Sequence, residues 1–428
     1  MADPFVDCKA KLLAFGGSPS EFLETIVSRE TFASWHNERE IVKTVGERLD
    51  AIAKDDRTHR ELATDPDFSI GALYPVPIAM VVKTIAVAEG WSPECLAACL
   101  LSNMAFLEHQ RTRLAVQSSA IHAVSPNIPI VIGASSSARK SSLLKFTTDL
   151  LVTEDCPCDG IASRSVFLVD ATLRGIRNAL VSFSRCSVSS DEIVNTYHTP
   201  WSETSTGVNY LSRSKLNTYL NCERDDVITA TSTTHIQDYA FQHKVAGQVA
   251  AAEWVLKPAP HGYHKRISLY ISPDRPRVRI GQDRTASVTF LKQLHEWMQA
   301  GPMSSPEVAA LDGIARSMND SVAAAVENFL ADPPSPVQEA LRTKLGFVDT
   351  DLLRLAHVNL RFLERLLDLR WPDGRHRPAT LQLYAFALAI RGWLRQVHIH
   401  SAYYKYIVRM MQSAAATSRG GGGGTAPH

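Results

Sequence analysis

Residues Ile128-Pro-Ile-Val-Ile-Gly133 form an apolar, β-branched run that empties into Ala134-Ser135-Ser136-Ser137-Ala138-Arg139-Lys140-Ser141-Ser142. Beyond it Leu143, Leu144, Thr147, Leu150 and Leu151 recur at helical spacing. Strand, small-residue turn and helix together are the layout of a phosphate-binding P-loop. The turn aims its N–H groups at an anion, and the helix adds the positive end of its dipole. In that layout Gly133 to Ser142 surround the phosphates of ATP, Lys140 reaches the terminal ones, and the Ser141 hydroxyl ligates Mg²⁺. The pattern departs from G-x-x-x-x-G-K-[ST]: Arg139 takes the glycine place before the lysine, Ala134 takes the first glycine place, and Gly133 comes one residue early.

Outward from the loop the chain alternates strand-like and helical segments. Further strands are expected at 165–169, 186–190, 227–233 and 266–272. Asp170 is expected to cap a helix buried through Leu173, Ile176 and Leu180. Such alternation favours a mostly parallel sheet flanked by helices, an α/β fold with a P-loop NTPase core of RecA-like or related type. Flanking it are a helical region over 1–74, a helical block over 75–126 and a helical domain over 276–412, with the core itself at 127–275. Residues 413–428, alanine-rich and then a glycine run, are expected to form an unstructured tail.

ATP hydrolysis needs carboxylates beside the loop, and Cys186-Ser-Val-Ser-Ser-Asp191-Glu192 supplies a pair at a strand end. Asp191 is assigned to the metal and Glu192 to polarising the attacking water. The plainer reading of the pair is a helix cap. The polar end of the 227–233 strand offers Thr231 or Ser232 to sense the γ-phosphate, against ordinary β-propensity. Arg266 offers a charge to phosphate, in cis or across a subunit interface, against a plain surface arginine.

From about 75 to 273 these residues resemble a family of P-loop proteins of phages, plasmids and genomic islands, a domain of unknown function often fused to or encoded near primases and helicases. Its loop variant ends in Arg-Lys-Ser, matched by Arg139-Lys140-Ser141. An Asp-x-Thr segment is matched by Asp170-Ala171-Thr172, a Ser-Asp-Glu strand end by Ser190-Asp191-Glu192, and an arginine before a late strand by Arg266. The resemblance implies ATP-driven, helicase-like work on nucleic acid, single-stranded DNA above all, in a replication-associated mobile-element setting, and a homo-oligomer. Ser137 stands where the family has glycine, so the loop must turn without a residue indifferent to positive φ.

The composition is that of a globular protein of 428 residues, 45% hydrophobic and 21% charged, with a net charge of +1 that gives no global pull toward nucleic acid or membrane. Seven scattered cysteines and the absence of a signal-like start point to an intracellular compartment, cytoplasmic or nuclear. Cys156 and Cys158 read as incidental thiols in a turn, Cys95 and Cys99 as core. His398 and His400 fall on different helix faces and do not suggest zinc. Arg354, His357, Arg361 and Arg365 lie along one helix side, either as a stripe tracking a phosphate backbone or as a solvated, salt-bridged face diluted by Glu364 and Asp368. A degenerate P-loop serving as a non-catalytic nucleic-acid-binding or scaffold protein is the alternative to an ATPase.

Overall fold

In the computed structural model, the described residues are 17, 21, 37–64, 70, 74, 76–108, 114–115, 123–152, 165–169, 171–183, 185–193, 203–204, 207–208, 210–228, 233–237, 239–256, 262–273, 285–300, 305–331, 336–370 and 379–420. At their centre stands a five-stranded sheet of β1 (Ile130–Ala134), β2 (Ser165–Leu168), β3 (Arg185–Ser190), β4 (Ala240–Gly247) and β5 (Ser268–Ser272). Its order is β5-β1-β4-β3-β2, and every pairing is parallel. A parallel sheet needs cover on both faces. One face is covered by α4 (Pro93–Glu108) and α5 (Lys140–Asp149), the other by α7 (Tyr210–Leu220) and α8 (Val249–Val255), with α6 (Leu173–Ser182) on β3 beside α7.

Four of the five strands fall where the alternation of the sequence puts them. The fourth does not. Residues 225–228 and 233–236 pair as a small antiparallel hairpin outside the sheet, and the inserted strand is β4. Its sequence, Ala-Phe-Gln-His-Lys-Val-Ala-Gly, carries three consecutive polar side chains, yet every residue is buried. Partners make that tolerable. Gln242 donates to Asn103 Oδ1 at 2.9 Å and accepts from Ser187 Oγ at 2.6 Å; Lys244 Nζ donates to the same Asn103 oxygen at 2.9 Å and to Thr148 Oγ1 at 3.4 Å. Asn103 in turn donates to the Thr147 carbonyl at 2.7 Å. A strand read as polar thus ties β3 and β4 through α4 to the helix that follows the loop.

Before the sheet come α1 (Glu38–Lys54), α2 (His59–Ala63) and α3 (Val76–Glu89). The polar stretch after α1 is an ordered connection: Thr58 and Glu61 close a capping box on α2. After the sheet come α9 (Tyr263–Arg266, leading into β5), α10 (Thr285–Ala300), α11 (Ser305–Phe329), α12 (Pro336–Leu345), α13 (Val348–Arg370) and α14 (Ala379–Gly420). These late helices share one apolar core with the sheet: α14 lies on β5, and Tyr74 stacks edge-on against Phe362 of α13. Helix α14 runs through residues 413–420, where the sequence suggested loose chain. Ser413 and Ala414 are exposed there, and alanine sustains a helix without burial.

The basic stripe of α13 is not on the surface. Arg354, His357 and Arg361 are each 5% exposed or less, and Arg361 Nη1 donates to Glu364 at 2.5 Å with Glu108 of α4 also beside it. These side chains face the fold's interior: the salt-bridged reading holds at Arg361, as a buried pair and not a solvated one, and Arg354, His357 and Arg361 form no exposed phosphate track, while the Arg365 side chain lies outside the described residues. Cys95 and Cys99 are core residues, as expected. His398 bonds Asp55 at 2.9 Å and His400 reaches the Ile267 carbonyl at 3.2 Å, each occupied with its own partner. The cap expected of Asp170 is supplied by Thr172, whose hydroxyl accepts from Gly175 N–H at 3.1 Å at the start of α6; Asp170 itself, Cys156 and Cys158 lie outside the described residues. No helix among the described residues is long and apolar enough to cross a membrane.

Candidate functional site

Ligands of open parallel sheets sit beyond the carboxyl ends of the strands, where successive connections leave in opposite directions. Here that place is the tip of β1: its chain departs toward β2 at the far edge, and β4 later returns to lie beside β1. Ala134 ends β1, and Ala138 N–H bonds the Ser135 carbonyl at 3.3 Å to close a turn. Ser136 and Ser137 are exposed, and the Ser135 and Ser137 hydroxyls bond each other at 2.9 Å. Arg139 caps α5 in the left-handed region, φ 53°, with no side-chain capping bond. The first N–H groups of α5 therefore face outward without an intrahelical or capping acceptor.

The end of α3 braces this turn from behind. Gly90, at φ 70°, stops the helix, and Trp91 N–H bonds back to Ala86 O at 2.7 Å. Arg139 Nη1 then donates to the Glu89 carbonyl at 3.3 Å, and Trp91 Nε1 donates to Ser142 Oγ at 3.0 Å. Ser142 Oγ donates in turn to Arg139 O at 2.9 Å. Arg139 and Ser142, both assigned to phosphate from sequence, are thus engaged in holding the loop to its neighbour.

Gly133 has a different duty from the one expected. It lies inside β1, and a Cβ there would come 2.9 Å from Ile271 Cδ1 and 3.3 Å from Ala252 Cβ. Its missing side chain admits α8 to the sheet, so it shapes the site without facing a phosphate. Gly247, its partner in register on β4, plays the same part for the carboxylate turn: a Cβ would strike Ile193 at 2.5 Å.

Over the tip of β4 the two halves of the site meet. The Ser141 hydroxyl at the start of α5 donates to the Asp191 carboxylate just past β3. Lys140 sits half-exposed one residue before, and Glu192 is exposed one residue after. Glu192 N–H is held by Ser190 Oγ at 3.3 Å, which fixes the turn bearing both carboxylates. A hydroxyl and one carboxylate, completed by phosphate oxygens and waters, are the donor set Mg²⁺ accepts, so the residues present fit Mg·ATP. Among the described residues there is no cluster of three or more His, Cys, Asp or Glu, and such a magnesium site does not need one.

One expected member is elsewhere. Arg266 precedes β5, at the amino end of the sheet, six residues and roughly 20 Å of strand from the loop end. It donates to Asn221 Oδ1 at 3.3 Å and to Gly262 O at 3.0 Å and stacks over Phe347. It cannot reach this site in cis. Thr231 and Ser232 lie outside the described residues, between the strands of the side hairpin, and the sheet strand expected there is β4. What stands at the tip of β4 is Gln248, exposed, capping α8 without a side-chain bond. Only the identity of the inserted strand reveals it; the one local hint is Gly247-Gln248 before the helix-forming Val-Ala-Ala-Ala.

Beneath the site the buried histidines and Cys99 are uncharged at neutral pH, while Lys244 is an ammonium below about 8. Burial lowers His243 to about 3, His295 to about 4 and Lys244 to about 8, and raises the Cys99 thiol to about 11. No protein-family model and no curated protein matches the chain. The family resemblance rests on the short motifs alone.

Proposed function

We propose that the chain binds Mg·ATP at the tips of β1, β3 and β4 and hydrolyses it. The observation that carries this reading is the Ser141–Asp191 hydrogen bond, formed by residues fifty positions apart and flanked by Lys140 and Glu192. The sheet order, with one strand inserted between the loop strand and the carboxylate strand, supports a RecA-like core. In this reading Lys140 and the α5 amides bind the phosphates, Ser141 and Asp191 hold the metal, and Glu192 orients and deprotonates water. Gln248 takes the sensing place first given to Thr231 or Ser232. Bound Mg²⁺ supplies neutralisation of charge on the β- and γ-phosphate oxygens. Helicase-like action on single-stranded DNA, and ring assembly, rest on the family resemblance; Arg266 could serve such a ring only across a subunit interface, since it does not reach the site of its own chain.

The second reading, a nucleotide-binding scaffold without turnover, is favoured by the non-glycine left-handed residue at Arg139. Titration of the full chain with ATP, with and without Mg²⁺, separates the two when combined with turnover assays in the presence and absence of single-stranded DNA. Lys140→Ala is expected to abolish binding. Glu192→Gln is expected to keep binding and slow hydrolysis by about 100-fold or more. Wild-type binding without turnover would leave the scaffold; no binding at millimolar ATP would remove the nucleotide site altogether.

A further inference from the structure

At the opposite, amino end of the sheet a cleft opens where β1 and β5 begin, walled by α9, α12, α13 and α14. Its enclosed space is small, of the size that holds waters or a small ion and not a drug-sized ligand. Three cations line it: Arg266, Lys344 and Arg354. Lys344 is paired with Asp351 at 2.7 Å and donates to Lys265 O at 3.0 Å. Arg354 and Arg266 are held through Nε by the Ser125 carbonyl and by Asn221, with no carboxylate bonded to either among the described residues. Burial lowers the pKa of both guanidiniums and Arg266 adds its repulsion to Arg354, while Asp351 and Glu223 oppose the shift.

Around these charges three buried side chains have polar atoms without partners. Trp393 Nε1, both amide atoms of Gln396 and Asn127 Oδ1 make no hydrogen bond among the described residues, and the three residues are 1%, 4% and 2% exposed. Native interiors rarely leave such atoms unmet, and here the residues that carry them all line one cleft. Water alone would meet the amide and indole groups but not two like charges held close together.

We propose that this cleft binds a phosphate-type oxyanion, free or as the head of a small phosphomonoester. The guanidiniums, the indole N–H and the Gln396 amide N–H donate to its oxygens. Gln396 Oε1 or Asn127 Oδ1 accepts the single P–OH proton of hydrogen phosphate, or of a phosphomonoester bound as its monoanion, which sulfate lacks. The site is separate from the proposed nucleotide site and does not depend on it. Arg266, placed away from the loop, finds its ligand here.

The test is thermal unfolding and calorimetric titration of the full chain with inorganic phosphate, sulfate and glycerol 3-phosphate at matched ionic strength. Phosphate is expected to raise the unfolding midpoint by about 2 °C or more, and sulfate by less. The shift should persist in Lys140→Ala, disappear in Arg266→Gln, and need at least about tenfold more phosphate in Trp393→Phe, which keeps the ring but not the donor. Tighter binding of glycerol 3-phosphate than of phosphate identifies a phosphomonoester, the reverse a free ion. If Arg266→Gln does not fold, Trp393→Phe decides alone. No shift, a shift unchanged in both cleft variants, or one lost in Lys140→Ala overturns the proposal, and an equal response to sulfate overturns the choice of a protonated oxyanion.

Discussion

Arg139 carries the one left-handed backbone in the loop, and Ser137 does not share it. The sequence alone placed strain at both, because Arg139 occupies a glycine position of the usual motif and Ser137 one where the resembling family has glycine. The fold concentrates it at the residue just before the helix, at a cost of about 1 kcal/mol for a side chain in this region. Arg139→Gly should therefore hold or improve ATP affinity and change stability by no more than about 1 kcal/mol, relief of strain being offset by a looser unfolded chain. Ser137→Gly should bring no gain. Side-by-side ATP titrations of the two variants decide the matter: a tenfold loss in Arg139→Gly would mean that the guanidinium binds phosphate and is not merely an anchor on Glu89. At this scale Lys140, Ser141, Asp191 and Glu192 were legible, since each is part of a local motif whose chemistry is written in adjacent residues.

Strand β4 is where local reading failed, because Gln242, His243 and Lys244 score as surface residues until Asn103, Ser187 and Thr148 are brought to them. The strand also carries a titration signature. Lys244 is held near 8 by burial, below the ordinary lysine value of 10.5, so between those values the unfolded chain binds more protons than the folded one. Stability contributed by this group must then rise with pH from about 8 upward, and below 8 the full cost of a buried ammonium is present, roughly 3 kcal/mol. Cys99 pulls the other way above its ordinary 9, because burial keeps its thiol protonated in the folded chain alone. The clean window is about pH 8 to 9. Lys244→Met should be neutral or stabilising at pH 7, since Asn103 Oδ1 keeps its bond from Gln242, and should remove the rise in that window. Urea unfolding of both proteins at pH 7, 8 and 9 measures it; parallel curves at all three would show that Lys244 titrates normally.

Across the whole molecule, distant parts of the chain are joined by a buried ion pair. Arg395 of α14 forks onto Glu94 of α4 with two 2.9 Å bonds and donates to Leu62 O of α2 at 2.7 Å. Removing one partner of such a pair strands a buried charge, so Glu94→Ala should cost about 3–5 kcal/mol. Because one core runs from α1 to α14, the loss should appear as a shift of a single unfolding transition, read by both circular dichroism and tryptophan emission. Two separate transitions would indicate that the late helices form their own domain, as the sequence suggested. By itself the sequence determined what short-range chemistry can encode: a strand–turn–helix with Lys140 and Ser141, a carboxylate pair on a strand end, and helices bounded by residues such as Gly90. Tertiary structure alone decided which strand entered between β1 and β3, that Gln248 stands at its tip, that Arg354 and Arg361 turn inward, and that Arg266 lies at the far end of the sheet. Those outcomes depend largely on partners far along the chain, from 45 residues for Arg266 and Asn221 to 139 for Gln242 and Asn103, whose hydrogen bonds and charges make burial of a polar side chain tolerable.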